Sequence, residues 1–231
     1  DLKLALTASV GEERAMPLLK RYGAAFPLAY RDQLSPRMAV RDIAVLEALG
    51  AGEPFAASLY RPVEADARSL RLRAYRSGEL IPLSASLPIL ENMGFETVAE
   101  DGWEVSPAGA APVFIHDFAL RSARELGDVE AIKAITEEAL LRVARGDVEN
   151  DAFNRLTPAA ALAPDDVLVL RAYARYLRQT GFTFSQAYIA QTLAAHPAIV
   201  AKLVAIFHAR FDPGLGGDRE AAQQALHDEV K

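Results

Sequence analysis

Apolar residues change their spacing twice along this chain of 231 residues, and that change limits the folds open to it. Up to about residue 50 and again beyond about residue 120 they recur every three or four positions, the mark of one helical face. Between Phe55 and Leu120 most of them alternate at every second position, as in a half-buried strand. The expectation is an α+β fold, with an antiparallel sheet and its helices in residues 1–120 and an all-α helical region in residues 121–231.

Local signals place the elements. Residues 11–25 read as a helix that ends at Phe26-Pro27, because the residue before proline avoids the helical region. A second helix should start at Ser35, a cap residue, with Pro36 in the first turn, where a missing N–H costs nothing. Ala39, Ile43, Leu46 and Leu49 or Gly50 mark its buried face, and Gly50 and Gly52 should end it. Strands are expected over Phe55–Tyr60 and Ser69–Tyr75. Ser84 should cap a short helix over Ala85–Met93, with Pro88 at its fourth position and Gly94 as its stop. Phe95–Glu100 and Trp103–Val105 flank Asp101-Gly102, a two-residue hairpin signal, and Val113–Leu120 follows as a strand.

Beyond residue 120, Leu126–Arg145 is one amphipathic stretch ended by Gly146. Pro164 opens another, with Asp165 and Asp166 near its positive end and Arg171, Arg175 and Arg178 toward its negative end, an order that complements the helix dipole. Gly181 should end that helix, and Ser185 should cap the next while Phe184 packs on Ile189. His196-Pro197 breaks the pattern. Ile199, Leu203, Ile206 and Phe207 then carry an apolar face to Phe211, followed by a loop over Asp212–Gly217 and a short polar helix.

Candidate chemistry is sparse. Without cysteine, disulfides, thiolate ligands and a cysteine nucleophile are excluded together, and a cytoplasmic protein fits. No apolar run nears the roughly 20 residues that span a bilayer, residues 1–9 do not read as a signal peptide, and Asp1 in place of Met suggests an excised piece. A formal net charge of -6 offers no electrostatic attraction to nucleic acid. Arg71, Arg73 and Arg76 read as a solvated sheet face. Gly214-Leu215-Gly216-Gly217 follows a helix rather than a strand, so it reads as a loop and not as a dinucleotide turn. His208 and Asp212 are two potential metal ligands without a third. His116 and Asp117 point to opposite faces of a strand, which leaves His116 as a satisfied, half-buried histidine beside Phe114 and Phe118. Glu149, Asn150, Asp151 and Asn154 lack the spacing of a calcium loop and should cap and connect two helices. Tyr173 and Tyr176 should pack between helices, with one or two of the neighbouring arginines paired to carboxylates across an interface. No catalytic, cofactor-binding or metal-binding residue is assigned.

The run Val169–Ile189 (VLRAYARYLRQTGFTFSQAYI), continuing to Phe211-Asp212-Pro213, resembles the large bacterial NAD-specific glutamate dehydrogenases. Leu34–Leu46 (LSPRMAVRDIAVL), Leu70–Phe95, Ile115–Phe118 and Glu149–Leu156 extend the resemblance over nearly the whole chain. It implies a noncatalytic segment upstream of the catalytic domain, with an ACT-like sheet module in the first half, although no strand precedes Ser35 where such a module would open. By the same resemblance, NAD belongs to the full-length enzyme and not to this segment. Implied partners are the remaining domains of the same long chain, further copies in a homo-oligomer and an amino-acid effector, with no nucleic acid and no membrane. Two other readings compete: a free-standing effector-binding module, and an unrelated small enzyme using His116 and His208.

Overall fold

Side chains that alternate across a strand sort into two faces once the register is set, and here the register brings charge to one face and aliphatic bulk to the other. The computed structural model describes residues 1–49, 54–214 and 219–230. Strands β1 (Phe55–Tyr60), β2 (Ser69–Ser77), β3 (Phe95–Val105) and β4 (Val113–Ser122) form one sheet in the order β1-β2-β4-β3. β2 lies antiparallel to both β1 and β4. Leu59 faces Leu72, and Leu72 faces Phe118; Arg73 lies between Ser58 and Asp117. Leu59, Leu70, Leu72, Phe118 and Leu120 are all buried.

The chain divides into two compact units, residues 1–87 with 97–121 and residues 88–96 with 122–231. In the first unit, α1 (Leu2–Val10), α2 (Glu12–Tyr22), α3 (Leu28–Gln33) and α4 (Pro36–Leu49) precede the sheet. α1 and α3 have no counterpart in the sequence reading, and α2 stops at Tyr22 instead of residue 25. Asp1 caps α1 by accepting from the Lys3 N–H at 2.8 Å. Ala39, Ile43, Leu46 and Leu49 are buried as expected, in a core shared with Tyr22, Tyr30, Tyr75, Trp103 and Ile115. Tyr30 packs edge-on against Trp103 at 5.4 Å. The expected stops at Gly50 and Gly52 lie outside the described residues.

Two expectations in this region fail for physical reasons. Helix α5 (Leu83–Asn92) begins before Ser84, so Ser84 is not its cap. β3 runs unbroken through Asp101-Gly102, so no hairpin forms there. Gly102 instead lies close to its neighbours: a Cβ at this position would stand 3.0 Å from Glu100 Oε1 and 3.7 Å from His116 Nδ1.

The second unit holds α6 (Val129–Arg145), a 3₁₀ turn (Ala152–Arg155), α7 (Leu156–Ala160), α8 (Pro164–Gln179), α9 (Gln186–Ala195), α10 (Pro197–Phe211) and α11 (Arg219–Val230). Phe153, Leu156, Val167, Leu170, Ala190, Val200 and Val204 form its core. α10 therefore buries Val200 and Val204, while Ile199 and Leu203, expected to be inside, are exposed. The apolar run of this helix wraps most of its circumference, so spacing alone did not single out a face. Phe184 stacks on Tyr188 at 4.8 Å and packs against Phe182 at 5.1 Å.

Gly181 ends α8 in a Schellman turn. Its φ is +92°, its N–H donates to the Arg178 carbonyl at 3.2 Å, and the Phe182 N–H donates to the Leu177 carbonyl at 3.1 Å. A Cβ here would meet nothing within 4 Å, so a substitution acts through the backbone alone. Gly181→Val is expected to cost about 1–2 kcal/mol, because the left-handed region penalises a Cβ and β-branching adds to it. Urea unfolding of the two proteins checks this, and a Val variant with the parent's midpoint contradicts it.

Candidate functional site

The densest set of ionisable groups in the first unit is buried. The solvated face expected for Arg71, Arg73 and Arg76 does not exist at Arg73, which is 1% exposed and lies between Asp42 of α4 and Asp117 of β4. Arg73 Nε donates to Asp117 Oδ2 at 3.0 Å, Arg71 Nε donates to Asp117 Oδ1 at 2.8 Å, and a second Arg73 nitrogen donates to Asp42. Arg73 NH2 also stands 2.9 Å from Asp117 Oδ2 but without hydrogen-bond alignment, so that contact is an ion pair only. Arg76 pairs with Glu79 and lies over the Phe55 ring.

Asp42 also accepts from the hydroxyls of Tyr30 and Tyr75, the latter at 2.8 Å. Burial first, then the Asp42 carboxylate, pushes both phenols above their ordinary value, so they stay protonated donors. Burial by itself would lower the Arg73 guanidinium, but Asp42 and Asp117 raise it above its ordinary value. Each charge at the centre thus has an opposite charge beside it, although Arg73 NH2 makes no hydrogen bond, and Asp42, Arg73, Asp117 and Tyr75 are closed to solvent. This arrangement joins helix to sheet.

His116 and Asp117 do take opposite faces. Asp117 enters the arginine network, while His116 is buried more deeply than expected, with Nδ1 2.6 Å from Glu100 Oε1 and its ring stacked on Phe118 at 5.9 Å. Its Nε2 is buried without a hydrogen-bond partner, so the histidine is only half satisfied.

In the second unit, Arg171 is the hub. It is 1% exposed, donates through Nε and NH2 to Asp151 at 2.8 and 3.0 Å, and reaches Asn154 Oδ1 at 2.8 Å. Asp151 caps the 3₁₀ turn through the Phe153 N–H, Asn154 binds the Glu149 carbonyl, and Asn150 meets Asn92 at 3.0 Å. The cluster of residues 149–154 therefore caps and connects, as its composition indicated. His208 pairs with Asp166 of α8 at 2.6 Å, not with Asp212, whose carboxylate accepts from the Gly214 N–H. Among the described residues no group of three His, Cys, Asp or Glu could hold a metal. Leu215, Gly216 and Gly217 lie outside them.

Tyr173 and Tyr176, expected between helices, are 48% and 61% exposed. Tyr173 meets Phe207 edge-on at 6.1 Å. Phe182, Phe184 and Tyr188 extend an exposed aromatic surface, beside an apolar groove of about 360 Å³ lined by Tyr173, Leu177, Leu193 and Phe207. A dinucleotide cradle requires a strand, a glycine turn and a helix in a parallel βαβ unit, which the antiparallel pairings of β1, β2 and β4 do not provide. Those three strands therefore offer no dinucleotide cradle.

Three family models match the chain in sequence order: glutamate dehydrogenase helical motif 2 over residues 5–49, the ACT3 domain over 54–134 and helical motif 3 over 148–213. Their limits coincide with α1–α4, with β1 through the first part of α6, and with the 3₁₀ turn through α10. The chain belongs to the glutamate dehydrogenase family. It is 42% identical over 214 residues to the NAD-specific glutamate dehydrogenase of Halomonas elongata, and 36% identical over 212 residues to that of Pseudomonas aeruginosa. The Mycobacterium tuberculosis enzyme is 36% identical over 230 residues. These alignments take in 92%, 91% and 96% of the chain, but only 13%, 13% and 14% of the relatives. The ACT match also corrects the sequence reading of the module: it opens with β1 at residue 55, and the helices before it belong to a separate motif, so no strand before Ser35 is needed.

Proposed function

We propose that this chain is a noncatalytic regulatory and assembly segment of a long NAD-dependent glutamate dehydrogenase, which would oxidatively deaminate L-glutamate to 2-oxoglutarate and ammonia. The observation that carries the reading is the run of three modules, two helical motifs around an ACT domain, within a stretch equal to 13% of the length of its relatives. Residues 1–120 and 121–231 act as two functional halves. NAD and glutamate bind in other domains of the polypeptide, an amino acid is the effector class of the ACT half, and the working enzyme is a cytoplasmic homo-oligomer. No single helix among the described residues is long and apolar enough to cross a membrane, which accords with that location. The exposed aromatics of α8 and α9 supply surface for contact with other domains.

The isolated chain is expected to turn over no glutamate and to bind no NAD. Calorimetry with NAD and a steady-state assay with glutamate check both, and saturable NAD binding at about micromolar concentration would overturn the assignment. A native reading frame that stops near Lys231 would favour the free-standing effector module instead.

A further inference from the structure

Arg155 closes the 3₁₀ turn of the second unit, and its Nε is buried without an acceptor. A guanidinium N–H left unpaired in the interior is costly, and such groups usually mark a missing ligand, ion or water. Arg155 lines a cavity of about 370 Å³ whose wall is drawn entirely from the second unit. That volume falls in the range of small-molecule sites.

The wall has a definite polarity. Arg124 also lines the cavity and is held by a 2.7 Å hydrogen bond from NH2 to the Ala195 carbonyl. Among the described residues neither arginine has a carboxylate partner. Met93, Leu126 and Pro158 give the same cavity an apolar side. Gly94, at φ +86°, lets the backbone approach Arg155, since a Cβ there would stand 3.3 Å from Arg155 Cβ. Glu125 also lines the cavity and is exposed, so it opposes a second negative charge on any occupant.

We propose that this cavity is a binding site for a small monocarboxylate with a short apolar body, its carboxylate held by Arg155 and Arg124 and its chain against Met93, Leu126 and Pro158. A carboxylate in the cavity offsets two guanidinium charges that no carboxylate of the described residues neutralises. The Glu125 carboxylate sets the preference for one negative charge over two. The site is independent of the dehydrogenase reading, because it rests on the cavity and its charges alone.

Butyrate is the probe, titrated into the whole chain and followed by calorimetry and by amide chemical shifts. Saturable binding with a Kd of about 1 mM or tighter is expected, with succinate and inorganic phosphate at least about tenfold weaker. Arg155→Gln should weaken butyrate by about tenfold or more while circular dichroism stays unchanged. Ala159→Leu, which fills the cavity from α7, should do the same with both arginines in place, and it decides the matter if the Arg155 variant does not fold. No saturable butyrate binding, equal or tighter binding of succinate or phosphate, or full affinity in Ala159→Leu would overturn the proposal.

Discussion

Arg73→Met is expected to destabilise the first unit by about 3–5 kcal/mol, the range for removing one partner of a buried ion pair. Methionine keeps much of the length and apolar bulk of the arginine stem, so lost packing contributes little. The cost comes from what remains: Asp42 and Asp117 would stand buried with their shared cation gone, one held by two phenol hydroxyls and the other by Arg71 alone. A triple variant with Asp42→Asn and Asp117→Asn should recover part of the loss, because the leftover charges are then removed as well. Urea unfolding, with hydrogen exchange on β2 and β4 to locate the effect, measures both. A single variant within about 1 kcal/mol of the parent would show that water or rearrangement compensates the two aspartates, against the closed geometry described above.

The second large effect is expected at Arg171. Its guanidinium ties the middle of α8 to the Asp151–Asn154 turn and lies over the Phe153 ring. Arg171→Met should cost about 2–4 kcal/mol, somewhat less than the change at Arg73, because the Asp151 side chain is 31% exposed and water can take over part of its solvation. The loss should appear in the helical unit, with exchange protection falling in the 3₁₀ turn and α8 and remaining intact in β1 and β2. Protection lost equally from β1 and β2 would mean that Arg171 is not a local tie. Asp151→Asn tests the same contact from the other side: it keeps the cap on Phe153 and removes the charge, so its effect should be smaller than that of the arginine variant.

These two arginines mark where reading the residues succeeded and where it stopped. The strand ends at Phe55 and Tyr60, the helix openings at Pro36 and Pro164, and the turn at Gly181 were legible because each depends on chemistry within a few residues: period, cap, or positive φ. The family was legible too, since its most specific run lies in one continuous stretch from Val169 to Phe211 and matches helical motif 3. One buried partner also left a signal that passed unread. Asp42 falls on the same helical stripe as Ala39, Ile43 and Leu46, a carboxylate on an apolar face that calls for a cation.

What local order could not supply is the identity of that cation. Arg73 stands 31 residues from Asp42 and 44 from Asp117, and its alternation with leucines is the same for a solvated face as for a buried one. The Asp101-Gly102 pair reads as a hairpin in isolation, but β3 continues through it, with Glu100 of the same strand and His116 of β4 close to Gly102. Likewise α10 is apolar on most sides, so its inner face was decided by contacts with the core of the second unit and not by spacing. Elements and family follow from residues that are neighbours in the chain. The buried ion network, the orphan nitrogen of Arg155 and the exposed aromatics of α8 and α9 follow from residues brought together, or left uncovered, by the fold, because burial and pairing belong to the packed structure and not to any single segment.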